Sequence, residues 1–376
     1  MFETSHVLVT GAAGLIGASV AKVLLEEGVR VTGLDDLSAG RRERLDPLSS
    51  PEGGSERGRS HADSFRFVEG DVRDRDLLLR TVLDSSMGPV TSVLHLAGRV
   101  GVRRVLQDPV ACEEENLELG RSVAAVIRHA RGQGRALRVV AASTSEVYAE
   151  SEEPLSEAST LRPLVAVGRW RYAASKRAAE EVLDHVVKDA IHLRFFNVVG
   201  PGQDGGSGMV LPRFIEAARE GRPLRIHGAG SQIRTFAHVD AVARDVAALA
   251  APEAFVNTKA LEGFHGALNV GGTARTSILG LGDEVLRAVE AATGRPSAGY
   301  ELVDPSVDVG GNFEDVRHRV PNLQRLLSLG LASRRLGSAP WSLEAMVRDA
   351  VERHGAPSAV GAAVHPGTAA CELPVS

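Results

Sequence analysis

Cysteine is scarce in this chain of 376 residues, which contains only Cys112 and Cys371. Two cysteines cannot build a disulfide framework or a paired-cysteine metal site, and the histidines show no metal-ligand spacing. We therefore expect no bound metal, and we expect a reduced, cytoplasmic setting.

Long apolar runs and an excess of positive charge are also missing. No stretch approaches the length that crosses a bilayer, and the formal net charge is −5. We therefore expect neither a membrane partner nor a nucleic-acid partner. What is present is a 43% share of hydrophobic residues, enough for one large α/β domain and a smaller lobe.

Short apolar segments alternate with helical patterns over the first two hundred residues. The predicted strands lie at 7–9, 29–34, 65–69, 93–96 and 137–142. Helical spacing follows the first strand and returns near 74–86 and 113–131. This alternation predicts an α/β fold, a doubly wound parallel sheet with helices on both faces.

A glycine-rich turn separates the first strand from the first helix. Its glycines have the spacing GxxGxxG: Gly11, Gly14 and Gly17. Glycine lets the backbone approach a pyrophosphate, whose charge then meets the helix N-terminus. Asp35 ends the second strand, where a carboxylate binds both ribose hydroxyls and repels a 2′-phosphate. NAD is therefore favoured over NADP, although Arg41 and Arg42 could reach such a phosphate.

The glycine spacing resembles that of the extended short-chain dehydrogenase/reductase family, which has a Rossmann fold. Over about residues 5–350 the family's further motifs follow in order: Asp71-Val72, His95-Leu-Ala-Gly98, Asn116, Tyr172-Ala-Ala-Ser-Lys176 and Arg194-Phe-Phe-Asn197. Gly98 stands where the family usually has Ala, and we expect little consequence. The resemblance implies NAD as cofactor, contacted by Gly11, Ala13, Gly14, Leu15, Ile16, Gly17, Asp35, Asp71, Val72, Leu96, Ala97, Gly98, Asn116, Tyr172 and Lys176.

Tyr172 and Lys176 are four residues apart and share one face of a helix. We expect the Lys176 ammonium to lower the pKa of the Tyr172 phenol, because it stabilises the phenolate. Tyr172 can then remove a proton from a sugar hydroxyl while hydride leaves the same carbon. The family gives these roles to this pair.

Three segments favour one reaction within the family. Thr144-Ser145-Glu146 resembles UDP-glucuronate decarboxylases, whereas sugar dehydratases carry Asp-Glu and simple 4-epimerases a small residue in place of Glu. Arg169-Trp-Arg-Tyr172 and Arg319-Val-Pro also resemble decarboxylase motifs. The resemblance implies conversion of UDP-glucuronate to UDP-4-keto-pentose, UDP-xylose or both.

The resemblance also assigns roles around the reacting sugar. Thr144 would hydrogen-bond the 4′ oxygen, with Ser145 beside it. Glu146 and Arg319 would handle the substrate carboxylate, and Glu146 would deliver the proton if burial raises its pKa. The expected substrate contacts are Asn197, Arg213, Arg225, Arg234, Arg169 and Phe313, with the arginines suited to a pyrophosphate.

The domain organisation follows from where the alternation weakens. We expect an NAD-binding domain over 1–198, with 235–270 returning to it, and a smaller C-terminal α/β substrate-binding lobe over 199–234 and 271–350. Helices 113–131 and 172–188 would form a homodimer interface if the chain follows its family.

Two segments lack periodicity. Residues 40–64 are rich in Gly, Ser, Pro and charge, which is typical of a mobile surface insertion. Residues 355–376 have the composition of a disordered tail.

Three other functions remain open. A UDP-hexuronate 4-epimerase, or another nucleotide-sugar epimerase or dehydratase, would share the first oxidation. A non-catalytic NAD-binding regulator is disfavoured by the Tyr172 and Lys176 pair.

Overall fold

The computed structural model describes residues 5–49, 61–203, 205–255, 259–304, 316–331 and 342–354. Its strands are β1 (His6–Thr10), β2 (Arg30–Asp35), β3 (Phe65–Glu69), β4 (Ser92–His95), β5 (Arg138–Thr144), β6 (Ile191–Phe195), β7 (Asn197–Val199), β8 (Leu224–His227), β9 (Ile233–His238), β10 (Gly266–Val270), β11 (Ala274–Ser277), β12 (Tyr300–Val303) and β13 (His318–Arg319). Its helices are α1 (Leu15–Glu26), α2 (Asp46–Ser49), α3 (Arg75–Leu83), α4 (Val102–Gln107), α5 (Pro109–Gly132), α6 (Trp170–Val187), α7 (Val210–Arg219), α8 (Val239–Ala250), α9 (Ile278–Thr293), α10 (Gln324–Ser328) and α11 (Leu343–Glu352).

Seven parallel strands form the main sheet in the order β3-β2-β1-β4-β5-β6-β10. The doubly wound parallel sheet predicted from the sequence is confirmed. Chain order changes direction between β1 and β4, so the connections leaving these two strands diverge. A crevice at the carboxyl ends of such strands is the usual ligand site of this architecture.

Side chains of β1 alternate between the two faces of the sheet. Val7 and Val9 belong to the apolar core that includes α1 and α8, whereas Leu8 belongs to the core that includes α3, α5 and α6. Because both faces are covered, the strand reads as a continuous apolar run. Each such side chain contributes roughly 1.5–3 kcal/mol by leaving water.

A smaller group of strands is centred on β9. Strand β9 pairs in parallel with β7 and β13 and antiparallel with β11, while β8 pairs with β12. Helices α7, α9 and α11 contribute to a separate apolar core beside these strands. The boundary predicted between residues 234 and 235 falls inside β9, which continues in the smaller sheet to His238. The division into two domains stays a prediction.

The segment 40–64 is more ordered than its composition indicates. Residues 42–44 and 61–63 form single helical turns, α2 lies between them, and Leu45 and Leu48 are buried. The prediction of a mobile surface insertion is therefore wrong for 42–49, because two leucines and a buried arginine attach it to the core. Residues 50–60 and the predicted tail 355–376 lie outside the described residues.

Two further searches cover only the described ranges. None of their helices is long and apolar enough to cross a membrane. They also contain no group of three His, Cys, Asp or Glu side chains that could hold a metal ion.

Candidate active site

The glycine-rich turn after β1 packs tightly against the end of β4. Gly11 has φ +72°, and a Cβ there would lie 2.7 Å from the Ala97 backbone nitrogen. A Cβ at Gly17 would lie 2.1 Å from the Gly11 carbonyl oxygen. Both positions therefore require glycine.

Helix α1 begins directly after this turn. Its N-cap is Gly14, which offers no side-chain hydrogen bond, and Leu15 and Ile16 form its first turn. The backbone N–H groups of that turn are the donors that bind phosphate at helix N-termini. This cradle fits the pyrophosphate of NAD.

Asp35 lies at the carboxyl end of β2, beside the same turn. Its carboxylate accepts hydrogen bonds from the Ala13 N–H (2.9 Å) and the Leu37 N–H (2.8 Å). Burial raises the pKa of Asp35, although both hydrogen bonds oppose this. These contacts hold the carboxylate at the edge of the cradle, where it could accept hydrogen bonds from the ribose hydroxyls of NAD. Arg42 pairs instead with Glu69 at 2.7 Å.

Arg44 is a site residue that the sequence did not reveal. Arg44 is 7% exposed, and its guanidinium donates to the carbonyl oxygens of Ala13 (3.0 Å) and Gly202 (2.7 Å). It therefore joins the cofactor turn to the chain that follows β7. The only signal was an arginine inside a segment that we interpreted as surface.

Asp71 and Val72, which the resemblance places against the adenine of NAD, differ in their surroundings. The Asp71 carboxylate pairs with Arg73 at 2.6 Å, and this hydrogen bonding lowers the pKa of Asp71. The Val72 side chain is 3% exposed and packs in the core. A contact between Val72 and adenine would therefore have to come from its backbone.

Gly98 lies where Lys176 and Asn116 converge. A Cβ at Gly98 would lie 2.8 Å from Lys176 Nζ and 3.1 Å from Asn116 Oδ1. Asn116 is fixed by Arg99, whose N–H donates to Asn116 Oδ1 at 2.9 Å and whose carbonyl accepts from Nδ2 at 3.1 Å. The space left by Gly98 is thus used by the end of the flexible Lys176 side chain, and the expectation that Gly98 has little consequence stays a prediction.

Tyr172 and Lys176 lie on α6 as predicted, but the pKa of Tyr172 differs from the expectation. Burial lowers the pKa of Lys176 to about 8. Burial also raises the pKa of Tyr172, and the negative charge of Glu146 adds to the effect. The predicted lowering of the Tyr172 pKa is therefore wrong, because burial and Glu146 outweigh the hydrogen bond with Thr144 and the charge of Arg319.

Glu146 is the shared partner of two arginines that are distant in sequence. Its Oε1 accepts from Arg169 Nη2 at 3.4 Å and from Arg319 Nη1 at 3.2 Å. Only 13% of the Glu146 side chain is exposed, and the arginines are more buried still. We call these three residues the Arg–Glu–Arg cluster.

The cluster keeps Glu146 ionised. Burial would raise the pKa of Glu146, but the charges of Arg319 and Arg169 outweigh burial and lower it. The condition set for Glu146 as the proton donor, a pKa raised by burial, is therefore not met in this structure. Glu146 is a carboxylate here, and the cluster carries one net positive charge.

The segment at the end of β5 places Glu146 near Tyr172. Thr144 Oγ1 accepts from the Glu146 N–H at 3.2 Å, and Thr144 and Ser145 are both buried. The charges of Glu146 and Arg319 both act on the Tyr172 phenol. The residues predicted for oxidation and for carboxylate handling therefore lie in one site.

Trp170 belongs to the Arg169-Trp-Arg-Tyr172 motif, but the sequence did not predict its contact with Arg169. The Arg169 guanidinium lies 4.6 Å from the centre of the indole ring, and Arg162 lies 3.5 Å from it. Cation–π contact of this kind orients a guanidinium. Trp170 therefore helps to hold Arg169 towards Glu146.

A buried network of hydrogen bonds lies beside the segment that follows β5 and carries Glu146. Arg194 donates to both Glu180 oxygens, at 3.0 and 2.7 Å, and to the Tyr148 hydroxyl at 3.2 Å. The Tyr148 hydroxyl donates to Asn269 Oδ1 at 2.6 Å. The network links β5, β6, β10 and α6 at the point where Glu146 and Tyr172 enter the site.

The residues predicted to bind the nucleotide differ in burial and in position. Asn197 donates to the Thr235 carbonyl at 2.8 Å, and Arg234 is buried in register with Arg319 on the neighbouring strand. Arg213 is partly buried on α7 and Arg225 is exposed on β8. Phe313 lies outside the described residues. Among the described residues of this set, the strand pairing places Arg234 beside Arg319 of the Arg–Glu–Arg cluster.

Comparison with known proteins identifies the family. The model of the NAD dependent epimerase/dehydratase family matches residues 7–265. The UDP-N-acetyl-alpha-D-glucosaminuronate decarboxylase of Bacillus cytotoxicus is 27% identical, over 85% of this chain and 89% of that protein. The UDP-glucose 4-epimerase of Mycolicibacterium smegmatis is 33% identical, over 77% of this chain and 83% of that protein.

A solved structure supports the same assignment. MoeE5 in complex with UDP-glucuronic acid and NAD is 27% identical and superposes with a TM-score of 0.68, over 93% of this chain and 98% of that one. The cofactor of the present chain is NAD, as its glycine-rich turn and Asp35 predict. The chain is an enzyme and belongs to the NAD-dependent epimerase/dehydratase family.

Proposed function

We propose that this enzyme oxidises C4′ of UDP-glucuronate and then releases C6′ as carbon dioxide. The observation that carries this proposal is the buried Arg–Glu–Arg cluster beside Tyr172. A neutral hexose offers two buried guanidinium groups no negative charge to pair with, whereas a hexuronate offers a carboxylate. The similarity to a uronate decarboxylase and to MoeE5 bound to UDP-glucuronic acid supports the same substrate class.

The first step is removal of the 4′ hydroxyl proton by Tyr172. NAD, held by the Gly11–Gly17 turn, Asp35 and Lys176, supplies the hydride acceptor and a positive ring that favours the phenolate. Thr144 holds the 4′ oxygen, and Lys176 orients the cofactor ribose. Without NAD, burial and the charge of Glu146 keep the Tyr172 phenol protonated, so the positive nicotinamide ring would have to supply the phenolate that acts as the base.

The second step follows from the chemistry of the product. A ketone at C4′ is β to the C6′ carboxylate, so the C5′–C6′ electrons can flow into an enolate as CO₂ leaves. Arg319 and Arg169 anchor the carboxylate and stabilise the developing charge, which is the role of preorganised cations in a water-poor site. The product is UDP-4-keto-pentose, or UDP-xylose if hydride is returned to C4′.

The second candidate is a UDP-hexuronate 4-epimerase. It is favoured by the 30% identity, over 66% of this chain and 72% of that protein, to the UDP-glucuronate 4-epimerase of Thermodesulfobacterium geofontis. An epimerase would return hydride to the opposite face of C4′ and keep the carboxylate. Glu146 favours decarboxylation, because simple 4-epimerases typically have a small residue there.

Incubation with UDP-glucuronate and NAD tests the proposal, with mass spectrometry of the product. Loss of CO₂ supports decarboxylation, and a further gain of two hydrogens identifies the pentose. A product of unchanged mass that co-elutes with UDP-galacturonate would establish the epimerase instead.

Further assignments accompany this proposal. Asn197, Arg213, Arg225 and Arg234 bind the nucleotide, and the enzyme is a cytoplasmic homodimer joined through α5 and α6. Analytical ultracentrifugation tests the dimer, and a monomer at micromolar concentration would contradict it.

A further inference from the structure

The Arg–Glu–Arg cluster already contains a carboxylate where the substrate carboxylate is proposed to bind. One oxygen of Glu146 accepts from both Arg319 and Arg169, at 3.2 and 3.4 Å. The substrate carboxylate has the same chemistry as the Glu146 side chain. The two groups therefore compete for the same guanidinium donors.

The ionisation of the two carboxylates decides which of them keeps the contact with Arg319. A bound hexuronate adds a negative charge beside Glu146 and takes donors from Arg319. In a largely buried site, a carboxylate that loses a guanidinium partner is favoured in its neutral form. The substrate carboxylate must stay ionised to lose CO₂, so Glu146 is the group that becomes neutral.

We propose that a bound hexuronate displaces Glu146 from Arg319 and that Glu146 takes up a proton as it loses this partner. The proton donor is thereby created only when a substrate with a carboxylate is bound. This inference rests on the proposed function and adds a substrate-dependent switch to the same site.

The groups that face Glu146 are consistent with such a switch. Arg319 approaches from β13, Arg169 from the turn before α6, Tyr172 from α6, and Thr144 from the end of β5. Burial is the largest influence on the Glu146 pKa and raises it, while the two arginines alone hold it low. Loss of the Arg319 contact therefore shifts the Glu146 pKa upward.

The proton is then transferred in a balanced sequence. Tyr172 receives the 4′ hydroxyl proton while the C4′ hydride goes to NAD. The C5′–C6′ bond breaks, CO₂ leaves, and its electron pair forms the enolate. Neutral Glu146 donates its proton to C5′ and returns to the carboxylate that Arg319 and Arg169 bind.

Calorimetric titration measures the proton directly. Protein loaded with NADH cannot oxidise the sugar, so UDP-glucuronate and UDP-glucose can be titrated into it without turnover. Titration at pH 7 in two buffers of different ionisation enthalpy gives the number of protons bound. We expect uptake of about one proton with UDP-glucuronate and none with UDP-glucose.

Variants identify the group that takes up the proton. Glu146→Gln should abolish the uptake, whereas Glu152→Gln, which changes an exposed glutamate, should leave it intact. Uptake that persists in folded Glu146→Gln would overturn the inference.

A second measurement needs no variant. If Glu146 is protonated on binding, the affinity for UDP-glucuronate relative to UDP-glucose should fall up to about tenfold per pH unit above neutrality. A ratio that is constant from pH 6 to 9, together with normal CO₂ release, would overturn the switch and leave the proposed function standing. Failure of UDP-glucuronate to release CO₂ would instead refute the proposed function.

Discussion

Replacing Arg319 by Met removes one of the two charges that keep Glu146 ionised while conserving most of the side-chain volume. Arg319 Nη1 lies 3.2 Å from Glu146 Oε1, and 11% of the arginine side chain is exposed. Removing one partner of a buried ion pair costs about 3–5 kcal/mol. Because Arg169 remains at 3.4 Å, we expect a loss of unfolding free energy near the lower end, about 3 kcal/mol.

The loss of stability should depend on pH in a defined direction. The native pKa of Glu146 is lowered, so its contribution to stability is present above the unfolded-state pKa and disappears as pH falls through the native one. The difference between wild-type and variant melting temperatures should therefore be largest near neutrality and should shrink towards pH 4.

The rate of turnover should fall more than the affinity for the nucleotide. Loss of one transition-state donor costs roughly 10²–10³-fold in turnover, so CO₂ release by Arg319→Met should fall by that factor. UDP affinity should change little, because other arginines are assigned to the pyrophosphate. Arg317→Met, which changes an exposed arginine two residues away, is the matched control. A normal rate of CO₂ release in Arg319→Met would refute the role given to the cluster.

Three further substitutions test the cofactor and oxidation residues. Tyr172→Phe should reduce NADH formation roughly 10²–10⁴-fold with an unchanged melting temperature, and a near-normal rate would mean that another group is the base. Asp35→Asn should weaken the preference for NAD over NADP, whereas Asp36→Asn, which changes an exposed neighbour, should not. If both variants show the same cofactor preference, Asp35 does not bind the ribose hydroxyls. Gly98→Ala, which introduces the residue usual in the family, should leave kcat and NAD affinity nearly unchanged, because its Cβ would lie 2.8 Å from Nζ at the flexible end of Lys176, and a severalfold loss of either would show that the ammonium depends on the space at Gly98.

The main sheet and the cofactor turn could be predicted because their signals are local. A buried strand, three glycines and an amphipathic helix occupy the first 26 residues, and their pattern alone predicts how they fold. The same holds for Tyr172 and Lys176, which one helix face brings together.

The acidity of Glu146 could not be predicted from the sequence. Burial was foreseeable, but the Arg319 contact joins residues 173 positions apart, and it reverses the direction of the pKa shift. Arg44 was missed for a similar reason, since its acceptor on Gly202 lies 158 positions away. Such contacts depend on how β13 and the turn after β7 are placed against the main sheet.

The most direct test of oxidative decarboxylation follows the C6′ carbon itself. UDP-glucuronate labelled with carbon-13 at C6′ is incubated with the enzyme and NAD and observed by NMR. Decarboxylation predicts that the label leaves the sugar and appears as CO₂ and bicarbonate, and that Arg319→Met slows its release while Arg317→Met does not. A label that remains on the sugar, with its resonance moved to that of UDP-galacturonate, would contradict decarboxylation.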